Sequence, residues 1–187
     1  MRLGVLVSGR GSNLEAVLEG GFSVALVVSN RLSARALGVA SEHAVPSLVL
    51  RRSDFGDAEA RDGAIGLALT DAGVDVCLLA GYDQLLRPSY FAAFGGRTIN
   101  IHPSLLPAHG GAGMMGIAVH RSVLASGDAE SGVTIHEVTP ELDAGRVLSQ
   151  ARVPVAPDDD ADALAARVLA VEHRILVETL KRLANQS

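Results

Sequence analysis

Five short runs rich in β-branched and aliphatic residues, at positions 3–8, 22–29, 47–50, 74–80 and 98–101, alternate with helix-like segments over the first hundred residues. This alternation constrains the fold more than any other feature of the chain. The helical candidates between the runs are 13–19, 34–43, 58–72 and 88–94. The first four runs are mostly continuous rather than alternating, as expected of strands buried on both faces of a parallel sheet. The repetition predicts an α/β fold built on an open, doubly wound, mostly parallel sheet. Ligands of such sheets bind outside the carboxyl ends of the strands, so chemistry is sought there.

After Ile101 the pattern changes. A Gly- and Pro-rich loop over 102–116 leads into a helix-like piece at 117–126. Two further strands, 132–138 and 147–155, flank the segment 139–146. A long final helix is opened by Asp158-Asp159-Asp160, whose carboxylates suit the positive amino end of a helix. Leu164, Val168, Val171, Ile175, Leu176, Leu180 and Leu183 form its apolar stripe. With no internal repeat, low-complexity tract or linker, the chain reads as one domain over 1–187. A Rossmann-like nucleotide-binding lobe is expected over 1–101. The active-site loop, the late strands and the terminal helix then fall in 102–187.

Charge narrows the function classes. Sixteen Lys and Arg against 21 Asp and Glu leave a net charge of −5, the wrong sign for a dedicated nucleic-acid binder. Lys181 is the single lysine, so any bound anion must be met by arginine, backbone amides or helix ends. No stretch reaches the ~20 apolar residues of a membrane span, and the amino end has no signal-peptide pattern. With the lone Cys77, which cannot form an internal disulfide, the chain reads as a soluble cytoplasmic protein. A monomer or a homodimer acting on small molecules is expected.

Three motifs carry polar groups suited to chemistry. Ser8-Gly9-Arg10-Gly11-Ser12-Asn13-Leu14 lies where the first strand turns into the first helix. Its glycines allow a tight turn, and the amides of a helix amino end suit a phosphate. Leu14 replaces the third Gly of the dinucleotide fingerprint and the Walker lysine is missing, so a monophosphate fits better than a dinucleotide. A plain glycine turn capped by Ser12 or Asn13 reads equally well from this motif alone. In Asn100-Ile101-His102-Pro103-Ser104-Leu105-Leu106-Pro107, Asn100 and His102 share one face of an extended segment. An amide and an imidazole converging there can polarise a carbonyl and manage a proton. In Pro140-Glu141-Leu142-Asp143-Ala144-Gly145-Arg146, Asp143 is the candidate carboxylate to keep an imidazole protonated, though an Asp before a turn glycine is commoner. His120 and His136 are further candidates to line the same cleft. None of the six histidines forms a paired ligand motif, so no metal is expected.

The strings SGRGSNL, NIHPSLLP and ELDAG, in this order and at this spacing along nearly the whole chain, resemble the glycinamide ribonucleotide formyltransferases of purine synthesis. That family moves a formyl group from 10-formyltetrahydrofolate to the amine of 5-phosphoribosylglycinamide. The resemblance implies that Asn100 and His102 act on the formyl group, with Asp143 keeping the imidazole protonated. It implies further that Gly11, Ser12 and Asn13 hold the substrate phosphate and that Glu172 binds the ribose hydroxyls. Asp83, Gln84, Leu85 and Leu86, with Asn100, fall where the family binds its folate co-substrate.

The chain departs from the family pattern on the folate side. Asp83-Gln84 stands where members usually carry Met and a basic residue, and a family arginine near Asp57-Ala58-Glu59 is missing, with Arg61 as its candidate replacement. The glycine-rich stretch 110–116 reads as a mobile lid or as a plain surface loop. Hydrolysis of formyltetrahydrofolate uses the same Asn, His and Asp with water as acceptor, but needs no phosphate cradle. Formylation of initiator tRNA is opposed by the net charge, and formylation of a nucleotide-linked amino sugar is a minor option. A non-catalytic nucleotide- or folate-binding module is the alternative of a different class.

Overall fold

A computed structural model describes residues 1–186. The strands are β1 (Leu3–Val7), β2 (Val24–Ser29), β3 (Ser47–Val49), β4 (Val76–Leu79), β5 (Arg97–His102), β6 (Glu130–Glu137) and β7 (Val147–Pro154). The helices are α1 (Ser12–Glu19), α2 (Ala36–Glu42), α3 (Ala58–Asp71), α4 (Pro88–Ala93), α5 (Ile117–Ser126) and α6 (Ala161–Ala184). The strands hydrogen-bond in the order β3-β2-β1-β4-β5-β6-β7, a seven-stranded, mostly parallel sheet of the expected α/β class. Two compact units divide the chain, Met1–Ile99 and a second from Asn100 onward.

In the first unit β1 pairs in parallel with β2 on one side, Val7 opposite Ser29, and with β4 on the other, Leu6 opposite Leu79. Leu3, Val5, Leu6 and Val7 are all fully buried, as the continuous apolar run demands. The chain leaves β1 toward β2 and β3 and returns beside β1 as β4. The carboxyl ends of β1 and β4 therefore meet at a reversal of strand order, the usual place for a ligand in such a sheet.

Three expectations need correction here. The third strand is not buried on both faces, because it is three residues long and ends the strand order, leaving Ser47 and Leu48 exposed. Phe22 is not part of β2. Its N–H donates to the Val17 carbonyl at 3.3 Å, folding it back over the end of α1 behind Gly21 at φ 78°. The fourth helix stops at Ala93, with Phe94 already extended and buried.

In the second unit β6 and β7 pair antiparallel from Glu130 with Pro154 to His136 with Val147, with a register irregularity between Ile135 and His136. Helix α6 opens on Asp160, whose side chain accepts from the Ala163 N–H at 2.8 Å. Asp159 accepts two bonds from Arg167, at 2.6 and 2.7 Å. The stripe of Leu164, Val168, Ile175, Leu176, Leu180 and Leu183 is buried as expected, whereas Val171 is only half-buried. Among the described residues no helix is long and apolar enough to cross a membrane.

Candidate active site

The first-unit residues gather at the reversal point between β1 and β4. Gly11 is the N-cap of α1 at φ 87°, and a Cβ there would lie 2.7 Å from the Ala36 Cα. Only glycine combines that backbone angle with that close approach. The alternative of a cap by Ser12 or Asn13 is overturned, since both stand inside the helix. A glycine cap has no side chain to spend on the first-turn amides, which suits them to an anion.

Facing this turn, Asp83 ties three loops together. Ser8 Oγ donates to Asp83 Oδ1 at 3.0 Å and accepts from the Asp83 N–H at 3.0 Å. Asn30 Nδ2 donates at 2.7 Å, Gln84 Nε2 at 3.1 Å, and Arg31 completes the set with an ion pair. Partial burial pushes the Asp83 carboxyl up, but the bonds from Asn30, Gln84 and Ser8, with the charge of Arg31, outweigh it and hold the group below the usual carboxylate range. Leu86 is buried and Leu85 exposed. Arg61 does not replace the missing arginine. It is 1% exposed, bonds Asp62 through Nε at 2.7 Å, and reaches Gln84 Oε1 at 3.2 Å, so its charge is spent inside the protein.

In the second unit, β5 carries Asn100 and His102 to its carboxyl end. The His136 ring lies beside Asn100, with Asn100 Nδ2 3.1 Å from His136 Nε2. Burial, then repulsion from His102, lowers the proton affinity of His136 against the pull of the Glu137 carbonyl and Asp143. A neutral ring whose Nδ1–H donates to the Glu137 carbonyl at 2.8 Å offers a lone pair at Nε2, so Asn100 must be the donor. The amide of Asn100 is thereby oriented by a neutral histidine. This role of His136 was not legible in the motif, because its partner lies 36 residues away.

Asp143 sits at φ 52° and accepts from the Gly111 N–H at 2.8 Å through Oδ2. Its other oxygen is 3.6 Å from His136 Nε2, beyond hydrogen-bond range. The carboxylate thus tethers the 110–116 stretch, which also turns on itself through the Met114 N–H and the Gly111 carbonyl at 3.1 Å. His102 is 4% exposed, and its Nε2–H donates to the His109 carbonyl at 2.9 Å. His120 is buried as well, and burial followed by the charge of His102 lowers its proton affinity.

The loop that follows His102 is braced by its own side chain and by β6 and β7. Ser104 Oγ donates to the Ala108 carbonyl at 2.6 Å. Thr134 Oγ1 donates to the Ser104 carbonyl at 2.7 Å while accepting from the Leu106 N–H at 3.0 Å. Gln150 Nε2 donates to the Leu106 carbonyl at 2.8 Å. Glu172, to which the resemblance gives a ribose-binding role, is buried on α6 at 8% exposure. Among the described residues no three His, Cys, Asp or Glu side chains form a group able to hold a metal ion.

A family model described as formyl transferase matches residues 1–180. The trifunctional purine biosynthetic protein adenosine-3 of Drosophila melanogaster is 37% identical over 192 residues, taking in 98% of this chain and 14% of that protein. The chloroplastic phosphoribosylglycinamide formyltransferase of Arabidopsis thaliana is 41% identical over 189 residues, 96% of this chain and 64% of that one. The chain therefore spans less than two thirds of either relative. The crystal structure of glycinamide ribonucleotide transformylase 1 from Symbiobacterium toebii matches with a TM-score of 0.93 and 38% identity, covering 100% of this chain and 88% of that one.

Proposed function

The chain belongs to the formyl transferase family, and we propose that it transfers the formyl group of 10-formyltetrahydrofolate to the amine of 5-phosphoribosylglycinamide, a step of purine synthesis. The observation that carries this reading is the Asn100 amide, aimed by a neutral His136 at the strand end that also bears His102. Such a pair suits a carbonyl whose oxygen becomes negative. In this reading the neutral amine attacks the formyl carbon, giving a tetrahedral oxyanion. Asn100 and a protonated His102 donate to that oxygen, each worth about 3–4 kcal/mol in comparable acyl transfers. The bond from the formyl carbon to N10 of the folate then breaks. The attacking nitrogen releases one proton and N10 takes one up, so no acyl-enzyme is needed.

Gly11, Ser12 and Asn13 would hold the phosphate through the first-turn amides of α1, in keeping with a chain that has one lysine. Glu172 would bind the ribose hydroxyls. The backbone of Asp83, Gln84, Leu85 and Leu86 would line the pterin pocket, with Asn100 reaching the formyl group. The charge of Asp143 would favour the protonated form of His102 while Oδ2 keeps the 110–116 lid in place. The buried Cys77, its thiol pushed up to about 12 by burial, suits a reducing cytoplasm.

The test supplies both substrates and follows formylated product and free formate separately. Formylated glycinamide in step with folate release is the expected result. Formate alone would replace the reading with the hydrolase, and binding without turnover would replace it with the non-catalytic module.

A further inference from the structure

His109 follows the NIHPSLLP motif and has no part in the reading above, yet it joins His102 to the α5–β6 connection. Its backbone adopts φ 54°, on the side that residues with a Cβ rarely occupy. Its carbonyl accepts from His102 Nε2–H at 2.9 Å. Its ring points elsewhere, with Nε2 2.7 Å from Asp128 Oδ2 and Nδ1 2.8 Å from Ser122 Oγ. A carboxylate only accepts, so Nε2 donates to Asp128 and, in the neutral ring, the Ser122 hydroxyl donates to Nδ1. Both ring atoms are therefore anchored at one end of an unfavourable backbone conformation, and the catalytic candidate hangs from the other.

We propose that His109 is a positioning residue for His102. Anchored by Asp128 and Ser122, it holds its own carbonyl where that group fixes His102 Nε2 as a donor and reserves His102 Nδ1 for the transferring formyl group. The inference rests on the reading of His102 as catalytic, but its physical core, the ring nitrogen that carries the proton, does not need turnover to be seen. Without the ring anchors the backbone relaxes toward negative φ and the carbonyl swings away. A misplacement of about 1 Å at such a group can cost about a hundredfold in rate.

The experiment uses the full chain and the variants His109→Ala, His109→Asn and Asp128→Ala. In His109→Ala, turnover should fall between about tenfold and a hundredfold, with KM for both substrates within about twofold of the parent. Asn is enriched at positive φ, so His109→Asn should retain more turnover than His109→Ala. Long-range 1H–15N spectra at pH 9, above the titration range of histidine, read the tautomer directly. The His102 ring, assigned by its disappearance in His102→Ala, should be protonated at Nε2 in the parent and lose that single tautomer in His109→Ala. Asp128→Ala alters a half-exposed carboxylate and should show the same changes in weaker form, which carries the test if His109→Ala does not fold. Turnover within twofold of the parent in His109→Ala, or an identical His102 ring spectrum in parent and variants, overturns the proposal. A parent chain that transfers no formyl group would instead overturn the functional reading, while the spectra still decide the role of His109.

Discussion

Residues 8–13 follow the carboxyl end of β1 and residues 100–102 form the carboxyl end of β5, yet they spend their polar groups in different ways. After β1 the proposed recognition surface is backbone, a glycine-capped helix end whose amides need no side chain, with loops pinned by Asp83. At the end of β5 the proposed donors are side chains, Asn100 aimed by His136 and His102 held by the His109 carbonyl. Backbone recognition is rigid and suits a ligand group present in both substrate and product. Side-chain donors that can give a proton suit charge that exists only in passing. The two regions should therefore fail differently. Loss in the first should appear as weaker binding, and loss in the second as slower turnover.

His102→Ala should show the largest effect, lowering turnover at least a hundredfold while KM changes little. Circular dichroism should report an intact fold, since the side chain only ends β5. Near-normal turnover in this variant would remove His102 from the chemistry and with it the contrast. Gly11→Ala should give the opposite pattern. The new Cβ meets Ala36 at 2.7 Å in a backbone conformation at φ 87°, so the turn must shift and the first amides with it. KM for the phosphorylated substrate should rise about tenfold with turnover within a few-fold, and stability should fall by about 1–2 kcal/mol. A pure loss of turnover here would break the comparison.

Asp83→Asn tests whether the first unit depends on its knot of loops. An amide keeps one acceptor oxygen, so its NH2 must face either Arg31 or the group of Ser8, Asn30 and Gln84, which are donors themselves. The urea midpoint should fall by the equivalent of about 2 kcal/mol, and KM for the folate substrate should rise a few-fold. Unchanged values would mean that Asp83 is an ornament of the surface and that backbone alone holds the turn.

Much of this molecule was legible in its sequence for a simple physical reason. Burial imposes a period on local sequence, so the run at 117–126 announced α5 and the continuous apolar run at β1 announced a strand covered on both faces. Glycine at position 11 was legible as well, because a tight turn leaves a local chemical trace. What stayed hidden are pairings between distant polar groups, which have no period. His136 meets Asn100 only once β6 lies beside β5 in the sheet. Arg61 reads in the sequence as a candidate for the missing folate-side arginine, yet tertiary packing buries it together with its neighbour Asp62. The carbonyl and the ring of His109 serve partners 7, 13 and 19 residues away, and no local pattern marks them.

The smallest expected effect separates the two regions by pH. In the second unit the folded state holds His136 and His120 below the ordinary histidine value, in each case first through burial. Unfolded, both titrate near 6.5. Above that value neither form carries the proton and the stability is fully present. As pH falls from 6.5 through the folded values, the unfolded chain binds protons first and the native state loses stability. Asp83 in the first unit has a depressed carboxyl, so its contribution persists until pH falls below about 4. Between pH 8 and 5.5 the melting temperature should drop by a few degrees. Hydrogen exchange should quicken in residues 130–137 before it does in residues 3–7. His136→Gln, which keeps an acceptor for Asn100, should flatten part of that drop without changing the behaviour below pH 4. A uniform loss of protection across both units over the same interval would mean that the imidazoles of the second unit do not set its stability, and that the two regions differ in chemistry but not in how they are held.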